Sequence, residues 1–305
     1  MPRPLNEQVV VISGAGSGIG RATARRFARQ GARLVIGGRS SEGLAAIREE
    51  VQEAGGPGVA ILEVDVSRRD QVERLAQFAV ETYGRIDTWV NNAGVSIYAR
   101  FDTLPEDEAR RLFDVNFWGT VYGMWAAAAV MRPQGGGTII NLASVVGKRA
   151  LPLQNFYSAS KFAIVGISEA LRVEWRTERA NIQVCAICPP SIDTPFYDNA
   201  LTRMGFTPKP LPVVLPAERV AKDIVRCAVR PRREVWVGWV GKAFVGLSVL
   251  LPGMMDRFIL SLGFQAQLTG ETKSPADPAD LFQPTAATSV EGDWSAWGNR
   301  RGAGG

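Results

Sequence analysis

Histidine is missing from all 305 residues. That absence removes Ser-His-Asp triads, Cys-His pairs, histidine-ligated metals and imidazole bases, so proton chemistry falls to Tyr, Lys, Cys or a carboxylate. Cysteine is scarce too: Cys185, Cys188 and Cys227 are too few for a disulfide framework. Cys185 and Cys188 form a C-x-x-C inside the strand-like run 182–188, whereas a redox C-x-x-C opens a helix and a metal site needs further ligands. Neither charge dominates, with 35 Lys and Arg against 30 Asp and Glu for a net +5. The excess is scattered in pairs such as Arg25-Arg26 and Arg110-Arg111, which describes a solvated surface and not a nucleic-acid groove. Met1-Pro2-Arg3-Pro4-Leu5 leads straight into a strand without the apolar stretch of a signal peptide, so a reducing, cytoplasmic setting is expected.

What is present is a globular composition, 46% hydrophobic, which excludes wholesale disorder. Short Val/Ile/Leu runs at 9–12, 34–36, 59–64, 86–90, 138–142 and 182–187, with a weaker seventh at 235–237, alternate with segments of helical period. Those segments cover roughly 18–30, 41–54, 68–83, 105–131, 154–179 and 216–229. The runs are nearly continuous in apolar residues, as strands covered on both faces must be. The expected fold is α/β: a Rossmann-like, doubly wound parallel sheet of about seven strands with helices on both faces.

Residues 1–234 carry that rhythm and are expected to form the nucleotide-binding, catalytic domain. Residues 235–270 are expected to be an apolar helical extension. From Val235 to Met255 the only charge is Lys242, and Pro252-Gly253 divides the stretch into two short amphipathic helices. Such helices would form a lid, a subunit contact, a membrane-surface contact through 240–264 or, least in keeping with the break, a membrane span. Residues 271–305, rich in Pro, Ala, Ser, Thr and Gly, are expected to be a disordered tail, with Trp294 and Trp297 as its candidate docking points.

The first strand runs into Ser13-Gly14-Ala15-Gly16-Ser17-Gly18-Ile19-Gly20, followed by a helix. Glycines there let backbone N–H groups and a helix N-terminus approach a pyrophosphate, which makes Gly14, Ser17, Gly18, Ile19 and Gly20 candidate coenzyme ligands. The spacing is G-x-x-x-G-x-G, not G-x-G-x-x-G. A dinucleotide site usually places an acid after the second strand to bind the ribose 2′-hydroxyl. Here the strand ends Ile36-Gly37-Gly38-Arg39-Ser40, with Arg39 where a guanidinium can pair with a 2′-phosphate. NADP(H) is therefore favoured over NAD(H).

The ordered set Ser13–Gly20, Asp65-Val66, Asn91-Asn92-Ala93-Gly94, Asn116, Ser144 and Tyr157-Ser158-Ala159-Ser160-Lys161 resembles the short-chain dehydrogenase/reductase family, in its compact one-domain branch, over about residues 6–240. The family more often has Thr where this chain has Ser13. The resemblance implies a catalytic set of Asn116, Ser144, Tyr157 and Lys161. It assigns Asp65 and Val66 to adenine, Asn92, Ala93 and Gly94 to the adenine ribose, and Lys161 also to the nicotinamide ribose. Asn116 would serve a water-mediated proton relay or tie neighbouring segments as a buried amide. After the sixth strand the family usually has Pro-Gly, but this chain reads Pro189-Pro190-Ser191-Ile192-Asp193-Thr194. Pro190 fixes φ and removes an N–H, while Pro189, Ile192 and Thr194 remain candidates for the nicotinamide end.

Tyr157 and Lys161 are four residues apart on a helix and share one face. An ammonium about 4 Å from the phenol at an effective dielectric of ~20 contributes roughly 4 kcal/mol, enough to bring a group that ionises near ~10 close to neutrality. Ser144 would hydrogen-bond the substrate oxygen. The expected activity is hydride exchange between NADP(H) and a secondary alcohol or ketone, with Tyr157 as general acid/base. The alternative is a non-catalytic NADP-binding regulator on the same fold. Phe101, Leu151, Leu153, Phe156, Phe196, Tyr197 and Phe206 are expected to make the pocket apolar, and a homodimer or homotetramer is implied by the resemblance.

Overall fold

A computed structural model describes residues 2–262, 264–285 and 289–294. The main strands are β1 (Val9–Ser13), β2 (Arg33–Gly38), β3 (Val59–Glu63), β4 (Thr88–Asn91), β5 (Gly137–Leu142), β6 (Ile182–Cys188) and β7 (Glu234–Trp236). They form one parallel sheet in the order β7-β6-β5-β4-β1-β2-β3. The helices are α1 (Gly18–Ala28), α2 (Ser41–Glu53), α3 (Arg69–Tyr83), α4 (Glu106–Phe113), α5 (Gly119–Met131), α6 (Asn155–Thr177), α7 (Ala217–Val229), α8 (Gly238–Leu250) and α9 (Pro252–Leu262). The Rossmann-like expectation holds, including the weak seventh strand and the helix break at Pro252.

Alternation along β1 and β2 explains the continuous apolar runs. Val10, Ile12, Leu34 and Ile36 enter the core beneath α1, α2 and α7, while Val11 and Val35 enter the one beneath α3 and α5. The strand order turns back between β1 and β4, and at such a reversal the connections diverge and leave a crevice at the carboxyl ends. The helical segment 105–131 is not one regular helix. A π-helical turn, Asp114–Trp118, separates α4 from α5 and carries Asn116.

The described residues 271–285 and 289–294 of the expected disordered tail lie against the body of the protein. Leu268–Thr272 pairs antiparallel with Phe206–Pro208. Leu281 and Trp294 are 2% and 6% exposed, so two anchoring side chains outweigh a composition poor in apolar residues. Trp297 and residues 286–288 lie outside the described residues. Among the described residues no helix is long and apolar enough to cross a membrane, which sets aside the span. No metal-binding cluster occurs among them either, and Cys185 and Cys188 point into different cores.

A buried amide ladder ties the layers together. Trp89 Nε1 donates to Asn91 Oδ1 at 2.7 Å, Asn91 Nδ2 to Asn141 Oδ1 at 2.8 Å, and Asn141 Nδ2 to Ser168 Oγ at 2.9 Å. Asn91 and Asn141 face each other across β4 and β5. Asn141→Leu leaves buried polar atoms without partners and is expected to lower stability by about 2 kcal/mol in urea denaturation.

Candidate active site

The chain leaves β1 at Ser13 and turns so sharply that Gly14 takes φ +68°. A Cβ at Gly14 would lie 2.6 Å from Ala93 Cα, and one at Gly20 would lie 2.3 Å from the Gly14 carbonyl oxygen. Only hydrogen fits at either place. Asn92 braces the turn by donating through Nδ2 to the carbonyls of Gly14 (2.7 Å) and Ser13 (3.2 Å). Helix α1 therefore starts at Gly18 with its N-terminus against a cavity of about 530 Å³, which Gly14, Ser17, Gly18 and Ile19 help to line. Ala93 and Gly94 line the same cavity, whereas Gly20 lies behind it as a packing residue.

At one end of the cavity stand Arg39, Asp65 and Val66. Asp65 accepts from Arg111 Nη2 at 2.6 Å and from the Ser67 N–H and hydroxyl at 3.0 and 2.8 Å. Burial pushes its carboxyl up, but these donors outweigh burial and hold it below the usual carboxylate value. Arg111 escaped the sequence reading, because nothing in the sequence placed it beside Asp65. Arg39 is not simply solvated: it donates to the backbone carbonyls of Asp280 and Leu281, and burial lowers its ionisation point.

At the other end the structure brings Ser144, Tyr157 and Lys161 together. Ser144 follows β5 and caps a 3-10 turn, Val145–Gly147, by accepting the Val146 N–H at 3.3 Å. Its hydroxyl donates to the Pro189 carbonyl at 3.4 Å and favours the ionised form of the Tyr157 phenol beside it. Tyr157 and Lys161 share a face of α6, with Lys161 Nζ 5.5 Å from the centre of the Tyr157 ring. Asn116 is fully buried and does not line the cavity. It clamps Val95, accepting its N–H at 2.8 Å and donating to its carbonyl at 3.0 Å, and it also donates to Ser160 Oγ at 3.2 Å.

The expected shift of Tyr157 towards neutrality is not found. Withdrawal from water pushes the phenol well above its ordinary value, helped by Tyr197 and opposed by the Ser144 hydrogen bond. The ammonium does not offset this, because Lys161 Nζ donates to the Leu142 carbonyl at 2.8 Å and is itself buried. Burial lowers Lys161 to about 8.

Pro189, Ile192 and Thr194 line the cavity, as does Pro190. The Pro190 segment is pinned on both sides: Val145 N–H donates to the Pro189 carbonyl at 3.0 Å, and Leu215 N–H to the Ser191 carbonyl at 3.0 Å. Of the apolar residues expected in the pocket, Leu151, Phe196 and Tyr197 line it. Phe101 and Phe206 are exposed, Phe156 stacks on Phe101, and Leu153 packs with Tyr98, so these four belong to the surroundings and not to the wall. Helices α8 and α9 add Phe244, Phe258, Ile259 and Leu262, which periodicity alone could not aim at the cavity. Tyr98 is a further lining residue, fully buried, with no hydrogen-bond partner for its hydroxyl among the described residues.

A lysine whose ionisation is lowered on folding opposes the folded state while charged. The unfolded chain binds more protons than the folded one between about 8 and the ordinary lysine value, so stability rises with pH across that window. Urea denaturation at pH 7.5 and pH 10 is expected to find this rise in the native sequence and to find it reduced in Lys161→Met.

The chain is similar to known proteins over most of its length. The profile of the short chain dehydrogenase family matches residues 8–204. The chain is 34% identical over 297 residues to the uncharacterized oxidoreductase YxnA of Bacillus subtilis (strain 168), covering 97% of this chain and 83% of that protein. It is 37% identical over 196 residues to a 3beta-hydroxysteroid dehydrogenase of Mediterraneibacter gnavus, covering 64% of this chain and 70% of the other. A crystal structure of a short-chain dehydrogenase/reductase from Burkholderia phymatum in complex with NAD superposes with a TM-score of 0.74 at 26% identity, covering 91% of this chain and 99% of that one. The chain belongs to the short-chain dehydrogenase/reductase family and is an oxidoreductase acting between alcohol and carbonyl groups.

Proposed function

We propose that this enzyme exchanges hydride between NADP(H) and an apolar secondary alcohol or ketone, with Tyr157 as the general acid/base. The observation that carries the reading is one continuous cavity with the glycine turn and Arg39 at one end and the Ser144–Tyr157–Lys161 group at the other. The cradle fits a dinucleotide: it has no side chain at Gly14 or Gly18, and a helix N-terminus faces it. When bound, the coenzyme supplies or accepts the hydride.

The chain's own residues govern position and proton. Ser144 hydrogen-bonds the substrate oxygen, and Tyr157 gives it a proton in reduction or takes one in oxidation. A phenol held above its ordinary value stays protonated at neutral pH, the state reduction requires. Lys161, held on the Leu142 carbonyl, lines the cavity beside the phenol, and Asn116 acts as a positioning residue through Val95 and Ser160. Asp65, Val66, Asn92, Ala93 and Gly94 serve the adenosine half, Asn92 by shaping the glycine turn. Pro189, Ile192 and Thr194 serve the nicotinamide half.

Helices α8 and α9 form a lid over the substrate end, since Phe244, Ile259 and Leu262 face the cavity while Val245 is buried against Val145 and Val146. They keep water from the reacting atoms and favour an apolar substrate. The unpartnered Tyr98 hydroxyl offers that substrate a second polar contact. A homo-oligomer is supported by Trp118 and Trp125, 41% and 48% exposed on one helix face.

Tyr157→Phe is expected to lower kcat about 10³-fold with little change in coenzyme affinity; near-normal turnover overturns the assignment. Arg39→Ala is expected to lower kcat/KM for NADPH at least about tenfold while sparing NADH, the loss of one charge-assisted phosphate contact. An unchanged NADPH-to-NADH ratio overturns the coenzyme reading.

A further inference from the structure

The coenzyme end of the cavity is bordered by more than the sheet. Residues 280–285 of the C-terminal segment help to line it through Asp280, Pro284 and Thr285, and both 280–285 and 289–294 take up its donors. The Arg39 guanidinium donates to the Asp280 carbonyl and, at 3.4 Å, to the Leu281 carbonyl. Arg111, which holds Asp65, donates through Nε to the same Leu281 carbonyl at 3.0 Å. At the glycine turn the Gly18 N–H donates to the Ser289 carbonyl at 2.9 Å. Arg39 and Gly18 are donors that the proposed function gives to the coenzyme's 2′-phosphate and pyrophosphate. Carbonyl oxygens of the chain itself occupy these donors.

Both stretches are fastened. Leu281 is 2% exposed, the Asp280 N–H donates to the Asn199 carbonyl at 2.9 Å, and the Asp280 carboxylate accepts the Thr285 N–H and hydroxyl at 2.8 and 2.9 Å. Further on, Asp193 Oδ1 accepts the N–H groups of Gly292 and Trp294 at 3.0 and 2.9 Å, and Trp294 Nε1 donates to Asp198 at 3.2 Å. Asp280 and Thr285 are also part of the cavity wall, and the Asp280 carboxylate acts electrostatically on Arg39.

We propose that these two stretches are an internal ligand of the coenzyme site, released when phosphate groups take Arg39 and Gly18, and that Asp280–Leu281 is a determinant of the choice between NADP(H) and NAD(H). The proposal rests on the assignment of Arg39 to the 2′-phosphate. A phosphate pairs with a guanidinium more strongly than neutral carbonyls do. Binding of NADP(H) nevertheless carries the cost of freeing 280–285 and of a nearby carboxylate, and apparent affinity falls by the fraction of molecules in the open state. NAD(H) has no 2′-phosphate and leaves Arg39 with Asp280 and Leu281, displacing only the Ser289 contact.

Hydrogen–deuterium exchange on the full-length protein tests this through the bonded amides of Asp280, Thr285, Gly292 and Trp294. NADPH is expected to speed exchange in both stretches, and NADH only in 289–294. Slower exchange in 280–285 with NADPH overturns the proposal. Full-length Leu281→Gln, which loosens the anchor, is expected to lower the Kd for NADPH tenfold or more while the Kd for NADH moves less than threefold. If Arg39→Ala weakens NADPH but Leu281→Gln alters neither affinity, the internal ligand is refuted and the phosphate reading stands. If Arg39→Ala leaves the ratio of the two affinities unchanged, the phosphate reading itself falls.

Discussion

The site depends on a backbone-against-backbone contact in which the turn after β1 lies directly on the loop after β4. At closest approach there is no room for a Cβ on Gly14, and the Asn92 amide fixes the two segments at hydrogen-bond distance. The same loop continues into Gly94 and Val95, where Asn116 grips both polar atoms of the Val95 backbone. A Cβ at Gly94 would lie 3.3 Å from Asn116 Oδ1 and 3.6 Å from Lys161 Nζ. One short loop thus couples the phosphate-binding end to the proton-transfer end, and the crevice between β1 and β4 exists because the strand order reverses there.

Without histidine, proton transfer has to rely on groups whose ordinary ionisation lies far from neutrality, and burial decides how they behave. It acts in opposite directions on the pair: the neutral form is favoured in both, so Tyr157 goes up and Lys161 comes down. An ammonium fully charged and close to the hydroxyl would draw the phenol towards neutrality. Burial is the larger influence on the phenol, and the ammonium that would oppose it is bonded to the Leu142 carbonyl.

The sheet and most of the site could be read from the sequence because each rests on local rules. Apolar runs define strands buried on both faces, glycine spacing marks the turn, and a four-residue interval puts Tyr157 and Lys161 on one helix face. Contacts that depend on distant partners could not be read. Arg111 meets Asp65 across 46 positions, and the cavity walls from α8 and α9 depend on how two short helices pack. The C-terminal segment resembles disorder in composition, and the placement of its described residues rests on distant partners of Leu281, Trp294 and a few backbone groups. Asn91, within a motif read for nucleotide binding, instead joins β4 to β5 and α6 through Asn141.

The bond from Arg39 to the Asp280 carbonyl spans 241 positions. The glycine turn and Arg39 are therefore synthesised well before the residues that border them. A chain cut short before Asp280 would leave the Arg39 guanidinium without its two carbonyl partners, Asp280 and Leu281.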